Sequence, residues 1–145
     1  MSEDNKVVVR RLFEDCFNCH NANVYPEFYA DVVFRASLIG ELRNHAHLQF
    51  LLTLFSAFPD AHWTLNEQIA EGDKVVSRWT FAGTHIGTFL GIAPTGRYLI
   101  NTGVSVQRLV DRKIVEEWAE WDTLGMMQQL GEIAAEESIA DMVAP

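Results

Sequence analysis

The sequence predicts an α+β domain in which a curved antiparallel sheet forms a cone-shaped half-barrel and N-terminal helices close an apolar pocket. Three observations lead there. Apolar residues recur at helical spacing through the first 58 residues, then switch to a period of two after Pro59. The later strand-like runs are long and joined by tight turns, as an antiparallel meander requires. A Gly/Pro-rich connection, GTFLGIAPTG, interrupts them, and long strands broken in this way favour strong curvature.

Val7, Val8, Leu12, Phe13, Cys16 and Phe17 form the apolar stripe of a helix over residues 3 to about 18, with Ser2 or Asp4 able to cap its start. NCHNAN is its polar exit. A short helical segment is expected over 24–29, followed by a strand in YADVVFRASL. Leu42, Phe50, Leu51, Leu54, Phe55 and Phe58 predict a second long helix over 41–58, ended by Pro59. WTLNEQIAEGDKVVSRWTFAGTH reads as a strand, a turn at Glu71-Gly72-Asp73 and a second strand. RYLINTGVSVQRLV is the next strand, DRK a tight turn, and IVEEWAEWD the last strand. TLGMMQQLG closes the domain as a short helix with Gly131 as its stop, and the acidic tail 132–145 is peripheral. The 145 residues suit one domain with its core over about 5–131.

Asp and Glu number 20 against 11 Lys and Arg, a net charge of -9 that repels phosphate backbones and anionic lipid surfaces. Neither nucleic acid nor membrane is an expected partner. No run approaches the roughly 18 apolar residues of a membrane span, and the N-terminal stretch lacks the charge and apolar pattern of a signal peptide. A cytoplasmic protein with reduced cysteines is expected.

CFNCH, residues 16–20, matches the C-x-x-C-H pattern of covalent haem attachment. Cys16, however, lies on the apolar stripe of the first helix, whereas Cys19 and His20 sit at its polar end, so Cys16 reads as core filler. His45 and His47 form an H-x-H pair, but residues two apart on a helix point to nearly opposite sides and do not converge on a metal. His47 shares a stripe with Phe50 and Leu54, from which it reaches either a pocket or a satisfied position at the helix end. No nucleophile elbow, P-loop or dinucleotide fingerprint is present. Neither a metal nor a cofactor is expected.

The last strand carries the most chemistry. Strict alternation puts Ile114, Glu116, Trp118, Glu120 and Asp122 on one face and Val115, Glu117, Ala119 and Trp121 on the other. If the first face lines the pocket, desolvation beside apolar and aromatic surface raises the pKa of Asp122 towards the range of a general base. Asp122 is equally well read as the N-cap of the closing helix. A two-residue turn at Asp111-Arg112 places Gln107 opposite Glu116, whereas a three-residue loop with a bulge places Arg108 opposite Glu116, Val106 opposite Trp118 and Thr102 opposite Asp122. The second register is preferred because it pairs a cation with a carboxylate. Arg108 then either holds Glu116 structurally or polarises a bound carbonyl.

The run GTHIGTFLGIAPTGRYLINTGVSVQRLVDRKIVEEWAEWDTLGMMQQLG resembles the SnoaL-like polyketide cyclases, also called ester cyclases. It does so through Gly83-Thr84-His85, Gly87, Phe89, Gly91, Pro94-Thr95-Gly96, Arg108, Lys113-Ile114, Glu116, Trp118, Asp122 and Gln129-Leu130-Gly131. FPDAHWTLNEQIAEGDKVVSRW and the first helix also fit, so the resemblance covers nearly all of residues 5–131. It implies the ketosteroid-isomerase-like cone, assembly as homodimers or homotetramers, and a cofactor-free mechanism. It also implies that the aspartate matching Asp122 is the acid/base, taking a proton next to a carbonyl so that the enolate closes a ring by intramolecular aldol addition. The sequence departs from the family at Asp111-Arg112-Lys113, where Arg replaces the usual Gly of the turn at some cost in strain.

Together these readings make Asp122 the general base in a pocket walled by Trp118, Trp79 and Phe34. Glu116 lies on the same face, and His85, Arg108 or His47 act as electrophilic or orienting partners. The expected function is polyketide-cyclase-like ring closure of a small hydrophobic substrate, polycyclic or aromatic. Two other readings stay open: a non-catalytic binder of a hydrophobic metabolite, and an isomerase or hydrolase on the same fold.

Overall fold

A computed structural model of the chain describes residues 2–133, so nearly all of the acidic tail lies outside the described residues. The N-terminal apolar stripe folds as α1 (Ser2–Arg11), continued by a π-helical segment over Leu12–Phe17. A 3₁₀ turn at Ala22–Val24 leads into the short α2 (Tyr25–Phe28) and then β1 (Tyr29–Ala36). β2 (Gly40–Arg43) and α3 (His45–Ala57) follow. The remaining elements are β3 (His62–Glu71), β4 (Lys74–Thr84), β5 (Tyr98–Val110), β6 (Lys113–Trp121) and α4 (Thr123–Gln129).

The six strands form one curved, unclosed sheet in the order β2-β1-β6-β5-β4-β3. Neighbours run antiparallel except β1 and β6, which are parallel. This parallel join was not expected from a meander. It lets the first strand of the chain close the sheet beside the last, so residues about 85 positions apart share one wall. Val9, Leu12, Phe13 and Cys16 from the first helix pack with Phe58, Trp63, Val75, Leu99 and Ile114 in the main core. Among the described residues no helix is long and apolar enough to cross a membrane.

The long helix predicted over 41–58 begins only at His45. Gly40, at φ +91°, turns the chain back after β1, and residues 40–43 pair with it through Ala36↔Gly40 and Phe34↔Leu42. Asn44, at φ 46°, then separates strand from helix. Leu42 fits the helical period by coincidence; its actual partner is across a strand.

CFNCH does not present its three side chains to a common ligand. Cys16 is buried, whereas Cys19 is exposed and its thiol donates to the Glu14 carbonyl. His20 stacks on Phe55 at 4.9 Å, with Nε2 2.9 Å from the Ala61 carbonyl oxygen. Burial pushes the Cys16 thiol up to about 12, which keeps it protonated and unreactive.

The β5–β6 hairpin fixes the geometry of the site. Its turn is two residues long, Asp111 and Arg112, at φ 51° and 63°. Val110 pairs with Lys113 and Leu109 with Ile114, after which the register shifts so that Arg108 faces Glu116 and Val106 faces Trp118. The preferred pairing is therefore present, but a tight turn followed by a bulge at Val115 produces it. An extra residue in one strand reverses the in/out order beyond it. Ile114 consequently shares the buried side with Glu117 and Ala119, while Glu116 and Trp118 lie on the outer side. Because Arg112 holds a left-handed conformation without being glycine, Arg112→Gly is expected to raise stability by about 1 kcal/mol, read from denaturant midpoints.

Candidate active site

Between α3 and the sheet lies a cavity of about 100 Å³. Its walls are aromatic and aliphatic: α3 supplies Phe50 and Leu54, β1 Phe34, β4 Trp79, and β6 Ala119 and Trp121. Four polar side chains interrupt this surface, namely His47, Asn101, Ser105 and Glu117.

Two of the four are committed to the scaffold. Ser105 Oγ accepts from Trp79 Nε1 at 3.0 Å and so fixes the indole across β5. Gly103 makes room for that ring, since a Cβ there would strike Trp79 and approach the Glu120 carbonyl at 2.8 Å. Gly103→Ala is expected to destabilise the protein by about 1–3 kcal/mol and to change the near-ultraviolet signal of Trp79, the usual cost of overpacking. Asn101 donates through Nδ2 to the Asp122 carbonyl (3.1 Å) and accepts from its N–H (3.2 Å), holding the end of β6.

The other two polar groups are chemically available. Glu117 is 4% exposed, and its Oε1 accepts from the Tyr29 hydroxyl at 3.0 Å. Burial pushes its pKa up to about 7, against the opposing pull of the Tyr29 hydroxyl and the Gln107 amide. Gln107 Nε2 is buried without a partner at full hydrogen-bond geometry, so its approach to Glu117 is a weak one. His47 lies on the buried side of α3, with Nδ1 2.8 Å from the Tyr25 hydroxyl and its ring stacked on Phe34 at 4.6 Å. Burial lowers its pKa to about 4, which leaves a neutral imidazole at pH 7. The Tyr25 and Tyr29 rings stack at 4.5 Å, and Tyr29 also meets His47 edge-on at 5.0 Å. One tyrosine pair from α2 and the start of β1 thus backs both functional groups. Burial pushes both phenols upward, so they remain protonated donors.

Of the residues expected at the site, His47, Phe34 and Trp79 line the cavity. The others lie elsewhere. Arg108 contacts Glu116 at 2.6 Å and Asp73 at 3.8 Å on the outer side of the sheet, and Glu116 also accepts from Arg35 at 3.0 Å. Arg35 covers the Trp118 ring at 5.4 Å. The bulge at Val115 explains this reversal: Ile114 is buried as expected but no longer shares a side with Glu116 and Trp118. Of the two roles open to Arg108, the geometry matches the ion pair. His85 is fully buried beside the cavity-lining Phe58, with Nδ1 3.0 Å from Thr95 Oγ1, and it anchors the connection between β4 and β5.

Asp122 is exposed, and its Oδ1 accepts from the Gly125 N–H at 2.9 Å as the N-cap of α4. The desolvation expected there is absent. It is found at Glu117, which was assigned to the opposite face together with Val115, Ala119 and Trp121. A single carboxylate among apolar neighbours was the available signal for a buried acid. Tyr25 and Tyr29 gave none, because their partners lie 22 and 88 residues away in sequence.

Comparison with known proteins places this geometry in context. The family model for SnoaL-like polyketide cyclases matches residues 7–130. Among solved structures, AclR of Streptomyces galilaeus, provisionally called a hydroxylase, is 23% identical with a TM-score of 0.86, over 98% of this chain and 90% of that one. A SnoaL-like protein of Jannaschia sp. CCS1, provisionally a polyketide cyclase, is 23% identical with a TM-score of 0.84, over 91% and 94%. IdmH of Streptomyces antibioticus, also provisionally a polyketide cyclase, is 28% identical with a TM-score of 0.76, over 88% and 98%. A search of curated proteins gives no match. With the family model spanning all of the sheet and most of the helices, the chain belongs to the SnoaL-like polyketide cyclase family.

Proposed function

We propose that this chain catalyses cofactor-independent, cyclase-like carbon–carbon bond formation on an apolar aromatic carbonyl compound, with Glu117 as the acid/base. The observation that carries this reading is a cavity carboxyl raised to about 7, where it takes and returns a proton near neutral pH. Glu117 removes a proton from carbon next to a carbonyl, and the C–H electron pair moves onto the carbonyl oxygen. With the Tyr25 hydroxyl donating to His47 Nδ1 at 2.8 Å in preference to the Asn44 carbonyl at 3.5 Å, the imidazole proton sits on Nε2, and that N–H holds the enolate oxygen. The enolate carbon then adds to a second carbonyl of the same molecule, forming the new C–C bond. The resulting alkoxide recovers its proton from Glu117. No atom or electron is left over.

Family membership and the 28% identity to IdmH favour ring closure over simple isomerisation as the fate of the enolate. Asp122, the position carried over from the family resemblance, is the competing base. The test is exchange of α-protons of acetophenone into D2O, followed by proton NMR, for Glu117→Gln and Asp122→Asn in parallel. Loss with Glu117→Gln and retention with Asp122→Asn is the expected pattern. The reverse pattern transfers the base to Asp122 and overturns the assignment.

A further inference from the structure

We infer that the cavity selects a compact, single-ring carbonyl compound, and that Phe50 sets this limit. The inference rests on the cavity being the active site, as proposed above, but it concerns what fits there and not which group reacts. The sequence left a polycyclic or an aromatic substrate open, and the space available favours a single aromatic ring. A cavity of roughly 150 Å³ lined by aliphatic and aromatic side chains holds one benzene. The cavity here is about 100 Å³. One ring therefore enters with a small outward shift of its lining, whereas three or four fused rings exceed the space inside.

The wall able to yield is identifiable. Phe34 and Phe89 are 4% and 3% exposed and fixed in the core. Phe50, Leu54 and Trp121 are only half-buried and mark the mouth of the cavity. Phe50 occupies the centre of an aromatic set drawn from three other parts of the chain. Its ring lies 5.9 Å from Phe34, 6.0 Å from Phe89, and 6.5 Å from Trp121, to which it is nearly parallel at 15°. It also joins the main core to the smaller cluster around Phe34 and Ala119.

Its position ties size to chemistry. Phe50 follows His47 by three residues on α3, so the two share a face, and Trp121 follows Glu117 by four residues on β6, so they share a side of the sheet. All four residues line the one cavity, so Phe50 and Trp121 are the aromatic neighbours of the two polar groups. The near-parallel Phe50 and Trp121 rings suit an aromatic ring, and removing the Phe50 side chain enlarges the cavity beside them.

The test is a titration of the full-length protein with acetophenone, 2-acetonaphthone and 2-acetylanthracene, followed on the indole N–H resonances of Trp79 and Trp121. Wild type is expected to bind acetophenone at least tenfold more tightly than the two-ring ketone, with the three-ring ketone weaker still. Phe50→Ala is expected to reverse the order of the first two by at least tenfold, and Phe50→Leu, which preserves more packing, to shift it in the same direction. Wild type that binds the three-ring ketone as tightly as acetophenone, or binds none of the three, overturns the inference, as does an unchanged order in both variants. Failure of the proposed chemistry reads out separately. If Glu117→Gln exchanges α-protons as fast as wild type while the size order holds, the base assignment falls and the size limit stands.

Discussion

Glu117→Gln is expected to slow α-proton exchange by about 10²–10⁴-fold, the usual contribution of a positioned general base. The amide retains an oxygen to accept from Tyr29, so the fold is expected to survive. Wild-type rate should rise through pH of about 7 as Glu117 loses its proton, and the variant should lack this acid limb. Tyr29 provides a signed check on the same group. Its hydroxyl stabilises the carboxylate form and lowers the pKa, so Tyr29→Phe is expected to move the limb to higher pH. Initial exchange rates measured across pH for the three proteins decide the matter.

The second large effect lies in stability against pH, where Glu117 and His47 oppose each other. Glu117 has its folded pKa raised from 4.5 to about 7, so the unfolded chain ionises first. Its contribution to stability is complete below 4.5 and is lost as pH rises through 7. His47 has its folded pKa lowered from 6.5 to about 4, so the unfolded chain holds the proton longer. It costs stability at low pH, and that cost disappears as pH rises from 4 to 6.5. Each shift, if fully expressed, corresponds to about 3 kcal/mol. The two nearly cancel in wild type, which should look flat between these limits. Glu117→Gln is expected to gain stability as pH rises across this window, and His47→Gln to lose it, with opposite slopes in urea midpoints. Asp60 and Glu116 are held low, chiefly by hydrogen bonds from Thr84 and Arg108, and act below this window.

Much of the fold is legible in the sequence because it is written in local periodicity. The change of period at Pro59, the Glu71-Gly72-Asp73 turn and the Arg108–Glu116 pairing all follow from residues close together in the chain. The cap at Asp122 was legible for the same reason, since it joins a carboxylate to an N–H three residues on. β2 was hidden because four residues carry too little period to compete with a strong helical stripe beginning beside them. The bulge at Val115 has no residue signature of its own, yet it decides which carboxylate is buried. Strict alternation places Ile114 with Glu116 and Trp118, and one extra residue at the bulge separates them. The Tyr25–His47 and Tyr29–Glu117 contacts depend on β1 lying parallel to β6, a tertiary fact that no local pattern records.

The central claim is that the buried carboxyl of Glu117, facing the cavity, changes protonation near neutral pH. Carbon-13 NMR of the side-chain carboxyl carbons, assigned through Glu117→Gln and followed across pH, tests it most directly. The Glu117 resonance is expected to titrate at about 7 and to shift when acetophenone is added. A Glu117 resonance that titrates near 4.5 and ignores the ketone would contradict the account.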